Sequence, residues 1–165
     1  MAIDWQHVLG AADAGGVKLE LVEGIPTWEF FPSSKHQKWL DRIRSSVRTS
    51  NLAGVKCGCY SLQDTYFRFP DGTYKRPDLS LFCSEPPEIE DALEILPDAI
   101  VEIVSRGFEK KDLETGAPFY ISQGVKEVVV VNPVDSAVHH FTKVGCKVFP
   151  LPITIKLLMG CEFDV

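Results

Sequence analysis

The sequence has no apolar run long enough to span a bilayer, and its start, Met1-Ala2-Ile3-Asp4-Trp5, lacks the basic region and apolar stretch of a secretion signal. These absences lead to the expectation of a cytoplasmic chain with no membrane partner. There is no Walker loop, dinucleotide fingerprint, zinc finger or helix-turn-helix, and no repeat or low-complexity tract. The five cysteines, Cys57, Cys59, Cys83, Cys146 and Cys161, are odd in number. Cys57-Gly58-Cys59 is not the usual zinc spacing, and no Cys/His pair completes it, so all five are expected to be reduced thiols packed in strands. Positive charge is also in short supply. The formal net charge is −6, a poor global charge for a nucleic-acid binder. That deficit is local. Six acids lie between Glu85 and Asp98 with no Lys or Arg among them, and outside this stretch acids and bases balance.

What is there suits one domain, residues 1–165, long enough for a substantial core. Met1 to Ala14 predicts a short helix with Asp4 as N-cap and Gly15-Gly16 as its stop. Val17 to Glu23 and Thr27 to Phe31 predict a hairpin about Gly24-Ile25-Pro26. Lys35 to Val47 predicts an amphipathic helix with Trp39, Leu40, Ile43 and Val47 on one face, entered through Pro32-Ser33-Ser34. Val55 to Ser61, Thr65 to Phe69 and Lys75 to Cys83 read as strands, the last two joined by the turn Pro70-Asp71-Gly72-Thr73. Ser84 to Pro97 reads as an exposed acidic loop with a helical turn. Ala99 to Val104, a helix from about Lys111 to Gln123 and Lys126 to Val131 form a parallel strand–helix–strand unit, expected to be right-handed. Val138 to Thr142 and Lys147 to Leu151 suggest a closing hairpin.

The stretch Asp98 to Val104 is apolar except for Glu102. A lone carboxylate in a strand buried on both faces costs several kcal/mol unless it protonates or a cation sits on it. Asp78 opens the earlier apolar strand Leu79 to Cys83. If the two strands meet, both carboxylates can share Mg²⁺ or Mn²⁺, a hard cation suited to one or two carboxylates plus water and phosphate oxygens. Such an ion can polarise a phosphodiester and lower the pKa of a water. The plainer readings make Asp78 a turn residue after Pro77 and Glu102 the partner of a base such as Lys110 or Arg106. Lys35, Lys38 and Arg42 share a helix face, and Arg106, Lys110 and Lys111 crowd the loop after the Glu102 strand. Both groups could meet phosphates or be ordinary solvated charge.

The ordered set Lys75-Arg76-Pro77-Asp78, Val101-Glu102-Ile103-Val104-Ser105, Asp112-Leu113, Phe119-Tyr120, Gly124-Val125-Lys126-Glu127 and Val131-Asn132-Pro133 resembles the Uma-two family of proposed restriction endonucleases, within the PD-(D/E)XK nuclease superfamily. Upstream, Leu19-Glu20-Leu21-Val22-Glu23-Gly24 is similar to the family's Glu-Leu-Ile-x-Gly stretch, and His36 matches a histidine at the start of its first core helix. The resemblance implies an α/β restriction-endonuclease-like fold, a mixed sheet flanked by helices, and a metal-dependent DNA-cleaving site. By position, Asp78 and Glu102 would be metal ligands, the Ile103 carbonyl could add a third, and Glu20 and His36 would lie near. The superfamily's lysine two residues after the acid is Val104 here, and its relocated position in the next helix is Gly116. Lys110 or Lys111 could replace it as a catalytic residue, or Lys75 or Arg76 from the neighbouring strand. A homodimer would suit cleavage of both DNA strands. A catalytically inactive nuclease fold that binds nucleic acid or protein, and a structural or oligomerisation module with Glu102 merely paired, stay open.

Overall fold

The computed structural model describes residues 3–29, 32–51, 54, 56–105 and 107–165. The expected helix positions Met1 and Ala2, the expected strand positions Phe30, Phe31 and Val55 and the loop base Arg106 lie outside the described residues. The fold is a mixed α/β arrangement built on a six-stranded sheet of order β11-β10-β9-β8-β7-β4. Its strands are β4 (Tyr60–Gln63), β7 (Leu79–Phe82), β8 (Ala99–Ile103), β9 (Glu127–Asn132), β10 (Ala137–Thr142) and β11 (Gly145–Pro150). Only β8 and β9 pair in parallel. The helical crossover between them is the expected one, since parallel strands need a long connection.

Alternation along β8 divides the core. Ala99, Val101 and Ile103 pack with Leu79, Leu81, Val129 and Val131 beneath Leu40 and Ile43 of α2 (Ser34–Ser46). Ile100 packs on the other face with Phe67, Phe82, Val128, Val130 and Tyr120 of α3 (Ala117–Gln123). A four-stranded sheet, β2-β1-β6-β5, stands beside this second face. It comprises β1 (Lys18–Val22), β2 (Ile25–Glu29), β5 (Phe67–Arg68) and β6 (Tyr74–Lys75). Glu23 and Gly24 both have positive φ, 51° and 79°, which closes the β1–β2 hairpin with the twist that antiparallel strands favour. α1 (Trp5–Ala14) covers this sheet through Leu9, and Asp4 caps it by accepting from the His7 amide at 3.3 Å.

Six expectations need correcting. The strand expected over Val55 to Ser61 begins only at Tyr60, and residues 56–59 before it are loop. The turn expected at Gly24-Ile25-Pro26 is Glu23-Gly24, with Ile25 and Pro26 already paired in β2. Lys75 to Cys83 is not one strand: β6 ends at Lys75, β7 begins at Leu79, and the two belong to different sheets. Pro77, with no N–H for a ladder, sits where the chain changes sheet. The segment Ser84 to Pro97 has no helical turn. It runs irregularly and is anchored by Leu93, whose amide donates to the Tyr66 carbonyl at 2.9 Å. The helix expected from Lys111 begins as a π-helix, Lys111–Gly116, before α3. The Ala117 N–H donates to the Asp112 carbonyl, and Gly116 and Pro118 make a regular α-turn costly at this join. Finally, the cysteines are not all free thiols. Cys57–Cys83 and Cys59–Cys161 are disulfides, and exposed Cys146 alone is free. These partners are remote in sequence: the β4–β7 pairing brings Cys57 to Cys83, and a third sheet brings Cys161 to Cys59. That sheet, β12-β13-β3, comprises β3 (Arg48–Thr49), β12 (Thr154–Lys156) and β13 (Cys161–Asp164). The irregular hydropathy pattern after Leu151 had concealed it.

Candidate active site

Asp78 stands one residue before β7 and Glu102 inside β8. Leu79 opposes Val101 across this antiparallel pair. Extending the register by one residue sets Asp78 opposite Glu102, so both side chains leave the sheet on the same face. The Asp78 N–H donates to Glu102 Oε2 at 3.1 Å, and the Tyr120 hydroxyl donates to Oε1 at 2.7 Å. The Ile103 N–H donates to Asp78 Oδ2 at 2.8 Å, and His36 Nε2 lies 2.9 Å from the same oxygen. His36 reaches in from the first turn of α2, where its amide donates to the Ser33 hydroxyl at 3.3 Å. Its Nδ1 is buried without a hydrogen-bond partner.

The pair opens on a cavity of about 300 Å³ that Glu20, His36, Ile103, Lys111 and Asp112 also line. Lys18 and Lys75, one from each of the neighbouring strands β1 and β6, complete its charge. Glu20 accepts from the Arg76 N–H at 3.0 Å and from Lys75 Nζ at 3.2 Å, with Lys111 Nζ 3.6 Å away. Thus Asp78, Glu102, Ile103, Glu20, His36 and Lys111 share one site. Lys110 does not. Its side chain is 83% exposed, pairs with Glu114 one turn along at 3.6 Å and lies outside the cavity lining. Arg76 is also engaged elsewhere, with Asp13 and Asp64.

Charge in the cavity is uneven. Burial raises the Glu102 pKa, and the nearby Asp78 and Asp112 carboxylates push it further, well above the ordinary range. Burial and the Asp78 charge raise Asp112 to about 6, even against Lys111. Burial would raise Asp78 too, but the His36 hydrogen bond and the Lys18 charge hold it low. Burial opposes the charge on His36, yet its bond to Asp78 wins and its pKa rises. Lys18 is likewise raised, because Asp78, Glu20, Glu102 and Asp64 outweigh its desolvation. Glu20 is held at about 2: burial works against its charge, and Lys75, Lys111 and Lys18 overcome it.

This crowding is the test of metal fit. Two adjacent hard-oxygen donors, one of them driven toward protonation by its neighbours, are what a divalent cation relieves. Asp78 and Glu102 are the residues that could hold it. Among the described residues the only trio of candidate ligand atoms within 4.8 Å of one another consists of cysteines. Ligation at the cavity would therefore rest on few protein groups, the usual state of Mg²⁺ sites.

Sequence reasoning missed Lys18 and undervalued Tyr120 and Asp112. Lys18 lies 60 positions before Asp78, and its alternation with Glu20 along β1 was the one signal that both face inward.

No curated protein matches the chain. Among solved structures, one titled "Crystal structure of a putative nuclease belonging to DUF820 from Anabaena variabilis ATCC 29413" is similar. It has a TM-score of 0.64 and 19% identity, over 85% of this chain and 81% of that one. At this identity the likeness bears on the fold. The family profile described as "Uma2: Putative restriction endonuclease" matches residues 5–156, a span that contains every residue of the cavity, and the chain belongs to that family.

Proposed function

We propose that this chain is a divalent-metal-dependent endonuclease that hydrolyses DNA phosphodiester bonds at the Asp78–Glu102 cavity. The supporting observation is the cross-strand placement of these two acids with Lys18, Lys75 and Lys111 beside them. Asp78, Glu102 and the Ile103 carbonyl would hold Mg²⁺ or Mn²⁺, which would polarise the scissile phosphodiester and make a neighbouring water easier to deprotonate.

The remaining groups have separable tasks. His36 and the Ile103 N–H orient Asp78, and Tyr120 orients Glu102. Lys18 fills the role of the superfamily's missing lysine. Its raised pKa keeps it an ammonium, so it acts as a fixed positive charge beside the phosphate and not as a base. Asp112, at about 6, is the carboxylate suited to exchange a proton near neutral pH. Exposed Trp28 and Phe108 flank a groove that continues from the cavity and offers stacking surfaces to nucleotides. Cutting both strands of a duplex would use two copies related by a two-fold axis.

Supercoiled plasmid incubated with Mn²⁺ tests the reading. Nicking by the unaltered chain, absent with chelator and absent from Glu102→Gln, is the expected result. Metal binding without any nicking would leave a nuclease fold that only binds.

A further inference from the structure

Four of the five cysteines meet in one knot on the far side of the core from the carboxylate cavity. Cys57 and Cys59 sit in the loop before β4, Cys83 follows β7, and Cys161 opens β13. The sulfurs do not form two separate crosslinks. Cys57 Sγ and Cys161 Sγ, which belong to different disulfides, are only 3.4 Å apart. The sulfurs of Cys57, Cys59 and Cys161 all lie within 4.8 Å of one another, and Cys83 is bonded to Cys57. Zinc binds thiolate at about 2.3 Å, so the sulfurs of a tetrahedral four-thiolate site stand about 3.8 Å apart. Three of the four sulfurs already lie within about that range of one another, and the fourth, Cys83, is bonded to one of them.

We propose that in the reduced chain Cys57, Cys59, Cys83 and Cys161 form a four-thiolate site for Zn²⁺, and that the two disulfides are the metal-free, oxidised form of the same four sulfurs. A dithiol reductant delivers two electrons and two protons to each disulfide, itself becoming a disulfide, and leaves four thiols. Zn²⁺ then binds four thiolates and displaces four protons. The frame that holds the sulfurs does not depend on the S–S bonds. The Gly58 N–H donates to the Cys83 carbonyl at 2.8 Å, and the Leu157 N–H donates to the Cys161 carbonyl at 2.8 Å. An open groove lined by Lys56, Cys57, Cys83 and Glu85 gives the ion a way in. The ion would tie the three-stranded sheet to the β4–β7 edge of the large sheet, replacing the crosslinks that a reducing compartment opens. This site owes nothing to the nuclease reading.

The full chain, reduced without air, is given Zn²⁺ and desalted. One zinc per chain is expected. A thiol reagent then modifies Cys146 alone in the native protein and all five cysteines once chelator and denaturant are added. Co²⁺ in place of zinc gives thiolate-to-metal charge-transfer absorption. Cys83→Ser weakens zinc binding by more than about 100-fold, a first ligand mattering at least as much as an outer-shell partner. Cys146→Ser changes nothing, and Asp78→Asn with Glu102→Gln keeps the zinc. Cys83 is half-buried, so its serine variant decides the matter even if Cys161→Ser fails to fold. The proposal is overturned if the reduced, folded chain retains no zinc, if Cys83→Ser binds it as well as the unaltered chain, or if the zinc is lost with Asp78 and Glu102.

Discussion

Adjacent parallel strands β8 and β9 each bring one acid into the interior, Glu102 and Glu127, and the protein treats them in opposite ways. Glu127 is fully buried at the start of β9. Its Oε1 accepts from the Leu158 and Met159 amides at 2.6 and 3.3 Å, and His140 Nε2 lies 2.8 Å from Oε2. Its oxygens are spent on the chain itself, tying the Leu157–Cys161 turn to the sheet. Glu102 accepts from one amide and one hydroxyl, but it shares an open cavity with Asp78 and Asp112, whose charges raise its pKa. A buried carboxylate therefore does not by itself mark a site. Carboxylates in excess of their donors, facing a cavity, do.

The contrast is sharpest in activity. Glu102→Gln should abolish plasmid nicking by at least about 10⁴-fold, more than about 5 kcal/mol of barrier, while leaving the thermal midpoint in chelator undiminished. Retained cutting would erase the distinction between the two acids. Glu127→Ala should do the reverse. It leaves His140 and two amides without their partner and should lower unfolding free energy by about 3–5 kcal/mol in urea titration, with nicking by the folded fraction preserved.

Glu20 tests the charge balance from another side. Its folded pKa of about 2 lies below the ordinary 4.5. The stabilisation this gives is complete above about pH 4.5 and is lost as pH falls through 2, and it amounts to about 3 kcal/mol. In chelator, Glu20→Gln should flatten the loss of stability over that acid window. An unchanged slope would mean that Lys75 and Lys111 do not hold the carboxylate as described. Among the lysines, Lys18→Met should reduce nicking about 100-fold and Lys110→Ala by less than about twofold. Equal effects would dissolve the assignment of Lys18. Least in size, Mn²⁺ at roughly thirtyfold above its Kd should stabilise the chain by about 2 kcal/mol in thermal scans. Asp78→Ala should remove that shift and Glu127→Gln should keep it.

The facing pair Asp78 and Glu102 was legible because apolar runs and their single interruptions survive in one dimension. Asp78 and Glu102 each stand at the edge or middle of a run that has no other reason to hold charge. The same argument taken alone would have chosen Glu127 as readily, since it also heads an apolar strand. The structure separates the two: Glu127 is satisfied by two amides and His140, and Glu102 faces the cavity. Lys110 was attractive because it follows the Glu102 strand closely, yet the π-helical turn that begins at Lys111 leaves it in solvent beside Glu114. Lys18 showed only its alternation with Glu20, because its relation to Asp78 exists only once β1 and β6 stand against the face of the main sheet. The cysteine knot failed for the same reason. Its members are 26 and 102 residues apart along the chain, and no spacing rule spans such gaps.

By itself the sequence determined the strand that bears Glu102, the helices that flank it, the existence of the β1–β2 hairpin and the family, because periodicity, capping and turn chemistry act between near neighbours. The tertiary structure alone decided which lysine faces the acids, which buried acid is satisfied and which cysteines touch. Those outcomes follow from cross-strand register and from the stacking of separate sheets, and both are relations between segments that the order of residues leaves unspecified.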